Sequence, residues 1–508
     1  MTAADRQVVK RYLLDGATEL KGYRCEINRL KARITVLETM EEALKEKMER
    51  YSLLLLPVHC MPPEILVEIF KLSCRKEVFG TKGIPRAMVL SRVCARWNQV
   101  ALSVPQLWAS ISVRFDIWCR TGREKMDRLK RFVDLFMKYS KTAPLSITLD
   151  DAGAIFEPVP FETLNQVMTA IGNVFANSDR WHRLEYTHYL LALPQLQQIV
   201  TCLLNLEHFE TLGISSDESR IILATQEFPS LTSITIVPDL WNPDDLPFHQ
   251  ATTLSFFRSH ASAALAILRR CTNARRLALK DVGGDADNSS QESGNHIILP
   301  HLQYLSIVAN NEQDATFPFQ SSTLPVLSSI VLHGVPPSIS SWTRWNLDPV
   351  KDFLLCSSCP ITSLSLRTLP LSDVETISLL VLLPTLNSLT IHEDRYSEAR
   401  TNKIFTRAFL KHFSTLHEDM TSRSFLPVIQ NLDFTMHHSP PSRPALVSAI
   451  ASRAPDGVSD HAATSVARLQ SFTLTIMVKE KVDVAPFLTP LQYFRDAGLR
   501  LDISFKAI

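Results

Sequence analysis

The sequence predicts an α/β chain in three parts: a long N-terminal helix, a small all-α module, and an irregular α/β solenoid. Three observations predict it. Apolar residues between positions 10 and 52 follow a 3-4 alternation, the period of a coiled-coil helix. Between positions 57 and 113, short helices carry more apolar surface than they can bury on one another. Beyond them a six-residue pattern, apolar-x-x-apolar-x-apolar, recurs at nine places with helical stretches between. The corresponding domain boundaries are 1–52, 53–112 and 113–508.

Bulk composition bounds the rest. At 508 residues the chain is too long for one compact core unless it is a solenoid. Hydrophobic residues make up 45% and charged residues 21%, an ordinary globular balance. A net charge of +1 gives no global field to attract nucleic acid or an anionic membrane, so neither is expected as a partner. Nine scattered cysteines argue for a reducing compartment over a disulfide framework. The first residues lack the apolar core of a secretory signal, and the runs Leu53–Leu56 and Ile377–Leu383 are too short to span a membrane. The expectation is a soluble intracellular protein, cytoplasmic or nuclear, in which the sequon at Asn288 is idle.

In the first part, Ile27, Ile34 and Met48 take the a position of a heptad, and Leu30, Leu37, Leu44 and Tyr51 take d. Ile at a with Leu at d favours a parallel dimer. Each g residue would then face an e residue of the partner: Glu19 with Arg24, Glu26 with Lys31, and Arg33 with Glu38. All three pairs attract. Each is worth only roughly 0–1 kcal/mol, so they set register more than stability. Glu41 at an a position and Gly16 at d weaken the seam. The sequence leaves three uses open: a homodimer, a helix packed on the chain's own body, or a partner's helix.

In the second part, Pro62 and Pro63 stand where a first helical turn tolerates proline, and Glu64 favours the positive helix N-terminus. Ile65, Leu66, Ile69, Phe70 and Leu72 come next at helical spacing. A polar loop, Arg75 to Pro85, ends the helix. A second helix carries Val89, Leu90, Val93, Cys94, Trp97, Val100 and Ala101, and Pro105 closes it before a strand-like run from Leu107-Trp108.

These residues resemble the F-box motif. Met61-Pro62-Pro63-Glu64-Ile65-Leu66-Val67-Glu68-Ile69-Phe70 stands for its first submotif, Val93-Cys94-Ala95-Arg96-Trp97 for its second and Leu107-Trp108 for its third. Met61 replaces the usual leucine, and the loop between the halves is longer than in compact boxes. The wider layout resembles fungal F-box proteins in which a short coiled coil precedes the box and leucine-rich repeats come after it. The resemblance implies docking on a Skp-type adaptor, and through it a cullin, with Pro62, Glu64, Ile65, Leu66, Ile69, Val93 and Trp97 facing the adaptor. Trp108 reads as core that joins the box to the repeat body.

In the third part, a helix marked by Met126, Leu129, Phe132, Val133, Phe136 and Tyr139 leads to a strand at Leu145–Leu149. The six-residue pattern then starts at Phe209, Leu231, Ala274, Leu302, Leu327, Ile361, Leu386, Ile429 and Leu469, with a weaker copy at Trp181. Helices are expected around Phe161–Phe175 and around Phe256–Leu268, and after a capping box of Ser372 with Glu375. Gly498 should end a helix before a last strand, Leu499–Phe505. A polar insertion at 283–295 and a Pro/Ser/Ala-rich one at 437–460 read as surface loops. The whole resembles a leucine-rich-repeat horseshoe, although the family's Asn after the pattern appears only as Asn310.

Period-2 alternation turns the residue after each pattern away from the core. That column reads Val237, Lys280, Val308, His333, Arg367, His392, Thr435 and Thr475. Its basic members, Lys280, His333, Arg367 and His392, are candidates for holding a protein substrate, with an acidic or phosphorylated segment preferred. An ordinary solvated sheet face is the competing reading.

No phosphate loop, nucleophile elbow or His-Glu-x-x-His helix occurs. Cys356 and Cys359 make a single Cys-x-x-Cys without two further zinc ligands at suitable spacing. His437-His438 reads as surface, and Asp285, Asp287 and Glu292 lack the spacing of a calcium loop. No catalytic, metal or cofactor residues are expected. The expected role is a non-catalytic substrate-recognition subunit of a cullin-type ubiquitin ligase; the alternative is a protein-interaction scaffold that keeps the box without the ligase role.

Overall fold

The computed structural model describes residues 3–54, 57, 61–74, 78–80, 83–118, 123–150, 161–186, 203–211, 228–283, 296–335, 342–357, 359–393, 403–414, 425–437, 443–453, 467–478 and 489–507. It divides into two compact units, Met1–Cys74 with Leu90–Val104, and Arg75–Val89 with Pro105–Ile508. The division differs from the boundaries at 52/53 and 112/113. The loop between the halves of the small module, and the segment from Pro105 onward, group with the larger unit.

The smaller unit begins with a helix of 52 residues, α1 (Ala3–Leu54). Its heptad residues Ile27, Leu30, Ile34, Leu37, Leu44 and Met48 are all exposed. Ion pairs along its own surface, Glu41–Lys45 at 2.7 Å and Glu46–Arg50 at 3.6 Å, add i,i+4 support. The module's longer helices are α2 (Pro63–Ser73) and α3 (Ala95–Ser103). Val89 and Leu90 belong to a separate short helix, Arg86–Leu90, and Val93 and Cys94 precede α3, so the single second helix expected from the sequence is two.

The larger unit is built on a sheet of fourteen parallel strands in strict sequence order. They are β1 (Ser110–Arg114), β2 (Leu145–Asp150), β3 (Trp181–Tyr186), β4 (His208–Thr211), β5 (Ser233–Ile236), β6 (Thr253–Ser259) and β7 (Arg276–Val282). They continue as β8 (Tyr304–Ala309), β9 (Ser329–Gly334), β10 (Ser363–Arg367), β11 (Ser388–His392), β12 (Asn431–His437), β13 (Ser471–Val478) and β14 (Arg500–Ala507). The two-residue pair Ile297–Ile298 and Ser322–Thr323 stands apart.

The recurring pattern explains the register. Its first apolar residue sits two positions before the strand and is buried at Leu231, Ala274, Leu302, Leu327, Ile361, Leu386, Ile429 and Leu469. The next two alternate with half-exposed residues along the strand, as in β8 and β9. The copies assigned to Phe209 and Trp181 are corrected, since Phe209 lies inside β4, where buried Leu206 holds the first position, and Trp181 opens β3. At the strand entrances one carbonyl accepts two consecutive N–H groups of the next layer. Thr232 O takes Thr252 and Thr253, Thr252 O takes Arg275 and Arg276, and Arg275 O takes Gln303 and Tyr304. The motif continues through Gln303, Ser328, Thr362, Asn387 and Gln430. These bonds satisfy the backbone where strand pairing begins, with no side-chain ladder needed.

Three further sequence expectations are corrected. Phe256 and Phe257 lie in β6, and the helix starts only at Ala261 (Ala261–Leu268). Ala251, Leu254 and Phe256 repeat the six-residue pattern and are all buried, which makes this stretch a further copy of it. Leu107-Trp108 falls in a short 3-10 turn, and the strand begins at Ser110. The expected loop after His437 contains a helix, Arg443–Ala451, with Leu446, Ala449 and Ile450 turned inward. Residues 284–295, 438–442 and 454–460, with Asp285, Asp287, Asn288, Glu292 and His438, lie outside the described residues.

Other expectations hold. Helix Arg123–Ser140 precedes β2, and residues Phe161–Phe175 form two short helices. Ser372 and Glu375 make the capping box of helix Asp373–Leu380. Gly498, at φ 101°, comes after helix Gln492–Asp496 in the left-handed conformation that a helix stop favours. Among the described residues no helix is long and apolar enough to cross a membrane.

The first strand of the sheet is covered by the module's own loop. Phe79 N–H donates to Ser112 O at 2.9 Å, and the Trp118 indole N–H donates to Phe79 O at 2.9 Å. The Phe79 ring meets Phe136 edge-on at 4.7 Å. Trp108 is enclosed between Phe136 at 5.2 Å and Tyr139 at 4.9 Å, as its reading as core required. An edge strand left bare would expose unpaired N–H and C=O groups, so this loop has a structural task.

Candidate docking surfaces

Helix α2 starts as its sequence dictates. Pro62 holds the N-cap position, Pro63 begins the helix, and Glu64 adds negative charge to the first turn. Helix α3 is capped by Cys94, whose sulfur accepts the Trp97 N–H at 3.5 Å. Asn98 Nδ2 donates to Ser91 O at 2.6 Å, holding the approach of α3 against its own first turn, and Arg96 donates to Met61 O, tying α3 to the approach of α2.

The apolar residues of α2 form two stripes. Leu66, Phe70 and Cys74 turn inward, and Phe70 meets Trp97 edge-on at 4.9 Å. Ile65 and Ile69 each lie one position before an inward residue, about 100° round the helix, Leu72 continues their row at i+7 from Ile65, and all three face solvent. They are 50%, 40% and 69% exposed. Val93, before α3, is 55% exposed.

Of the seven residues assigned to the adaptor from the sequence, Pro62, Glu64, Ile65, Ile69 and Val93 are on the surface. Trp97 is half-buried. Leu66 is 1% exposed and belongs to the inward stripe, so its side chain offers no surface. Leu72 extends the outward stripe and is not among the seven; its i+7 relation to Ile65 is the signal that places it there.

The second surface is the solvent-facing side of the sheet. Strand pairing aligns Lys280 with Val308, Val308 with His333, His333 with Arg367, and Arg367 with His392. The four basic residues therefore share one row across five strands, which spans about 19 Å at 4.7–4.9 Å per strand. Lys280 Nζ lies 5.7 Å from the Phe257 ring centroid, and Arg367 Nε donates to Ser365 Oγ at 3.1 Å. His392 Nε2 stands 3.6 Å from Asp433 Oδ2. Burial, and then the Arg367 and His392 charges, hold His333 below the ordinary imidazole range. At neutral pH the row thus carries fixed charge at Lys280 and Arg367, and a neutral imidazole at His333.

Cys356 and Cys359 carry free thiols. Cys356 is exposed on helix Asp348–Ser357, and Cys359 lies beyond it with its thiol pushed up by burial.

Residues 58–114 match the family model for F-box-like domains. A search of curated proteins returns no match for the chain. The matched segment contains the outward stripe of α2, the capped α3 and the edge-covering loop. It carries a protein-interaction role, and it accounts for a helix that keeps an apolar stripe in water.

Proposed function

We propose that this chain is a non-catalytic substrate-recognition subunit of a Skp–cullin–F-box type ubiquitin ligase. The observation that carries the reading is the outward stripe Ile65, Ile69 and Leu72, with Val93, inside the F-box-like segment. Apolar side chains aligned on one helix face are what a partner's groove takes up. Pro62 and Glu64 stand at the head of that face. The adaptor, and through it a cullin, would sit there, and the open face of the sheet would hold the protein substrate. The mechanism is proximity: this chain orients, and other subunits perform ubiquitin transfer. The row Lys280, His333, Arg367 and His392 suits an acidic or phosphorylated segment, whose oxygens pair with guanidinium and ammonium groups.

Two double variants separate the surfaces. Ile65→Lys/Ile69→Lys should weaken binding of a purified Skp-type adaptor at least about 30-fold, by the ~2 kcal/mol or more that truncating interface anchors costs. Lys280→Glu/Arg367→Glu should leave adaptor binding unchanged and reduce recovery of ubiquitinated substrate. Adaptor binding that survives the first variant sinks the docking assignment. Substrate recovery that survives the second sinks the sheet-face assignment.

The second reading, an interaction scaffold without ligase activity, is favoured by the exposed heptad seam of α1, which invites assembly independent of the box. Ubiquitination of co-purified proteins in a reconstituted complex distinguishes the two.

A further inference from the structure

Strand β3 contains a register fault. Leu145 pairs with Trp181, but the next residue, Ser146, pairs with Arg183, so His182 is one residue too many. The burial sequence there runs buried, half-exposed, half-exposed, buried from Trp181 to Leu184. Such a bulge lets two successive side chains leave the core face, and bulges often re-aim a side chain. Here it brings His182 beside the next strand.

In that strand, Arg183 pairs with His208, and Glu207 N–H donates to His182 O at 2.9 Å. The His182 and His208 rings meet edge-to-face at 5.2 Å. His182 Nδ1 lies 3.5 Å from Glu207 Oε1. One donor atom from each of the three residues falls within 4.8 Å of the other two.

We propose that His182, Glu207 and His208 form a binding site for a divalent transition-metal ion, with zinc the best chemical fit. Zinc takes imidazole nitrogen and carboxylate oxygen at about 2.0–2.2 Å, which sets tetrahedral ligand atoms about 3.3 Å apart. The His182–Glu207 pair is already near that separation, and side-chain rotation closes the rest. Two imidazoles with one carboxylate disfavour magnesium and calcium, which select oxygen.

The electrostatic surroundings agree. Arg183 is committed to Glu185, with Nε donating at 2.6 Å, and to Glu210 at 3.2 Å. Glu185 and Glu210 therefore already occupy that guanidinium, and Glu207 is the carboxylate left to the two imidazoles. Glu207 is exposed, which leaves a coordination position open to water or to a partner's side chain.

The inference is independent of the ligase reading. It is tested on the full chain, stripped with a chelator and titrated with zinc against a chromogenic indicator. The native protein should bind one more zinc ion per chain at micromolar affinity than His182→Gln or His208→Gln, each of which should raise that dissociation constant at least about tenfold. Glu207→Gln, on an exposed side chain, should weaken binding without disturbing the fold. His249→Gln should match the native protein, and thiol-bound zinc is common to all variants and cancels. Zinc should also raise the melting temperature of the native protein more than that of variants with an unchanged zinc-free melt. Equal stoichiometry and affinity across native, His182→Gln and His208→Gln proteins would overturn the site.

Discussion

Arg453 shows what a single side chain does in this fold. It is 4% exposed, and its guanidinium donates to Phe413 O at 2.9 Å, to Leu426 O at 2.8 Å and to Phe425 O. Phe413 ends helix Arg407–Phe413, so this arginine satisfies a helix-terminal carbonyl and fastens the segment after it to the helix. Burial lowers its pKa to about 10, which leaves it charged at neutral pH. Arg453→Met keeps the apolar stem and withdraws the guanidinium from all three carbonyls. Leu426 O keeps the Ile429 N–H at 3.4 Å and Phe413 O keeps the Ser452 hydroxyl at 3.4 Å, so the loss falls mainly on Phe425 O. The expected loss is roughly 1–3 kcal/mol, the cost of one unsatisfied buried group, read by chemical denaturation. A loss below about 1 kcal/mol would mean that water replaces the guanidinium. Sequence alone could not place Arg453, because a basic residue in a Pro/Ser/Ala-rich stretch reads as surface until the carbonyls it meets are known. His333 makes a second residue-level prediction. Its folded-state pKa is depressed, so as pH falls below the ordinary value of about 6.5 the unfolded chain takes up the proton first. Stability contributed here is present at neutral pH, declines through that window, and levels off once the folded form is protonated too. Denaturation at about pH 7.5 and about pH 5.5 should show a larger loss for the native protein than for His333→Gln. Matching losses would remove burial as the cause of the shift.

Helix α2 is legible in sequence as one broad apolar face, but the docking role proposed for it depends on splitting that face in two. The split cannot be read from composition, since Leu66 and Ile65 are neighbours of similar hydrophobicity. It depends on which side meets Phe70, Trp97 and the rest of the small unit. The two stripes predict opposite mutational phenotypes. Leu66→Ala should cost about 2–5 kcal/mol of stability, the range for an enclosed leucine. Ile65→Ser and Ile69→Ser should cost little stability and most of the adaptor affinity. Circular-dichroism melts beside adaptor titrations would decide it, and the idea fails if all three variants lose stability and binding in proportion. Strand β6 teaches the complementary lesson. Phe256, Phe257, His260, Leu265 and Leu268 do fall at helical spacing, and Ala251, Leu254 and Phe256 also fit the strand pattern. Pairing with β5 and β7 on either side decides the matter, a tertiary term absent from any local window.

Across the whole molecule, sequence order becomes spatial order, and this makes the sheet and its basic row readable. A period-2 count inside each pattern predicts the row Lys280, His333, Arg367 and His392 only because consecutive strands pair without slipping, as their entrance carbonyls enforce. Where the register does slip, at β3, counting fails, and the His182–Glu207–His208 cluster stays hidden in the sequence. The long N-terminal helix poses the last whole-molecule question. Its seam residues stay exposed along α1, and a single helix holding Ile27, Leu30, Ile34 and Leu37 in water gains nothing from their burial. A second copy would supply the missing surface with matching period and with attraction at Glu19–Arg24, Glu26–Lys31 and Arg33–Glu38. Burial of apolar area contributes about 25 cal/mol per Å², so several seam pairs outweigh the roughly 0–1 kcal/mol of each ion pair. The native chain should therefore sediment at twice its 57.3 kDa mass at micromolar concentration. Ile34→Lys/Leu37→Lys should return it to one chain mass with the sheet intact. Reversing Glu26 to Lys alone should weaken the dimer by less than about tenfold, while Glu26→Lys with Lys31→Glu should restore it, since the swap rebuilds the pair. A native chain that sediments as a monomer, or a swap that fails to rescue, would assign the seam to a different partner's helix.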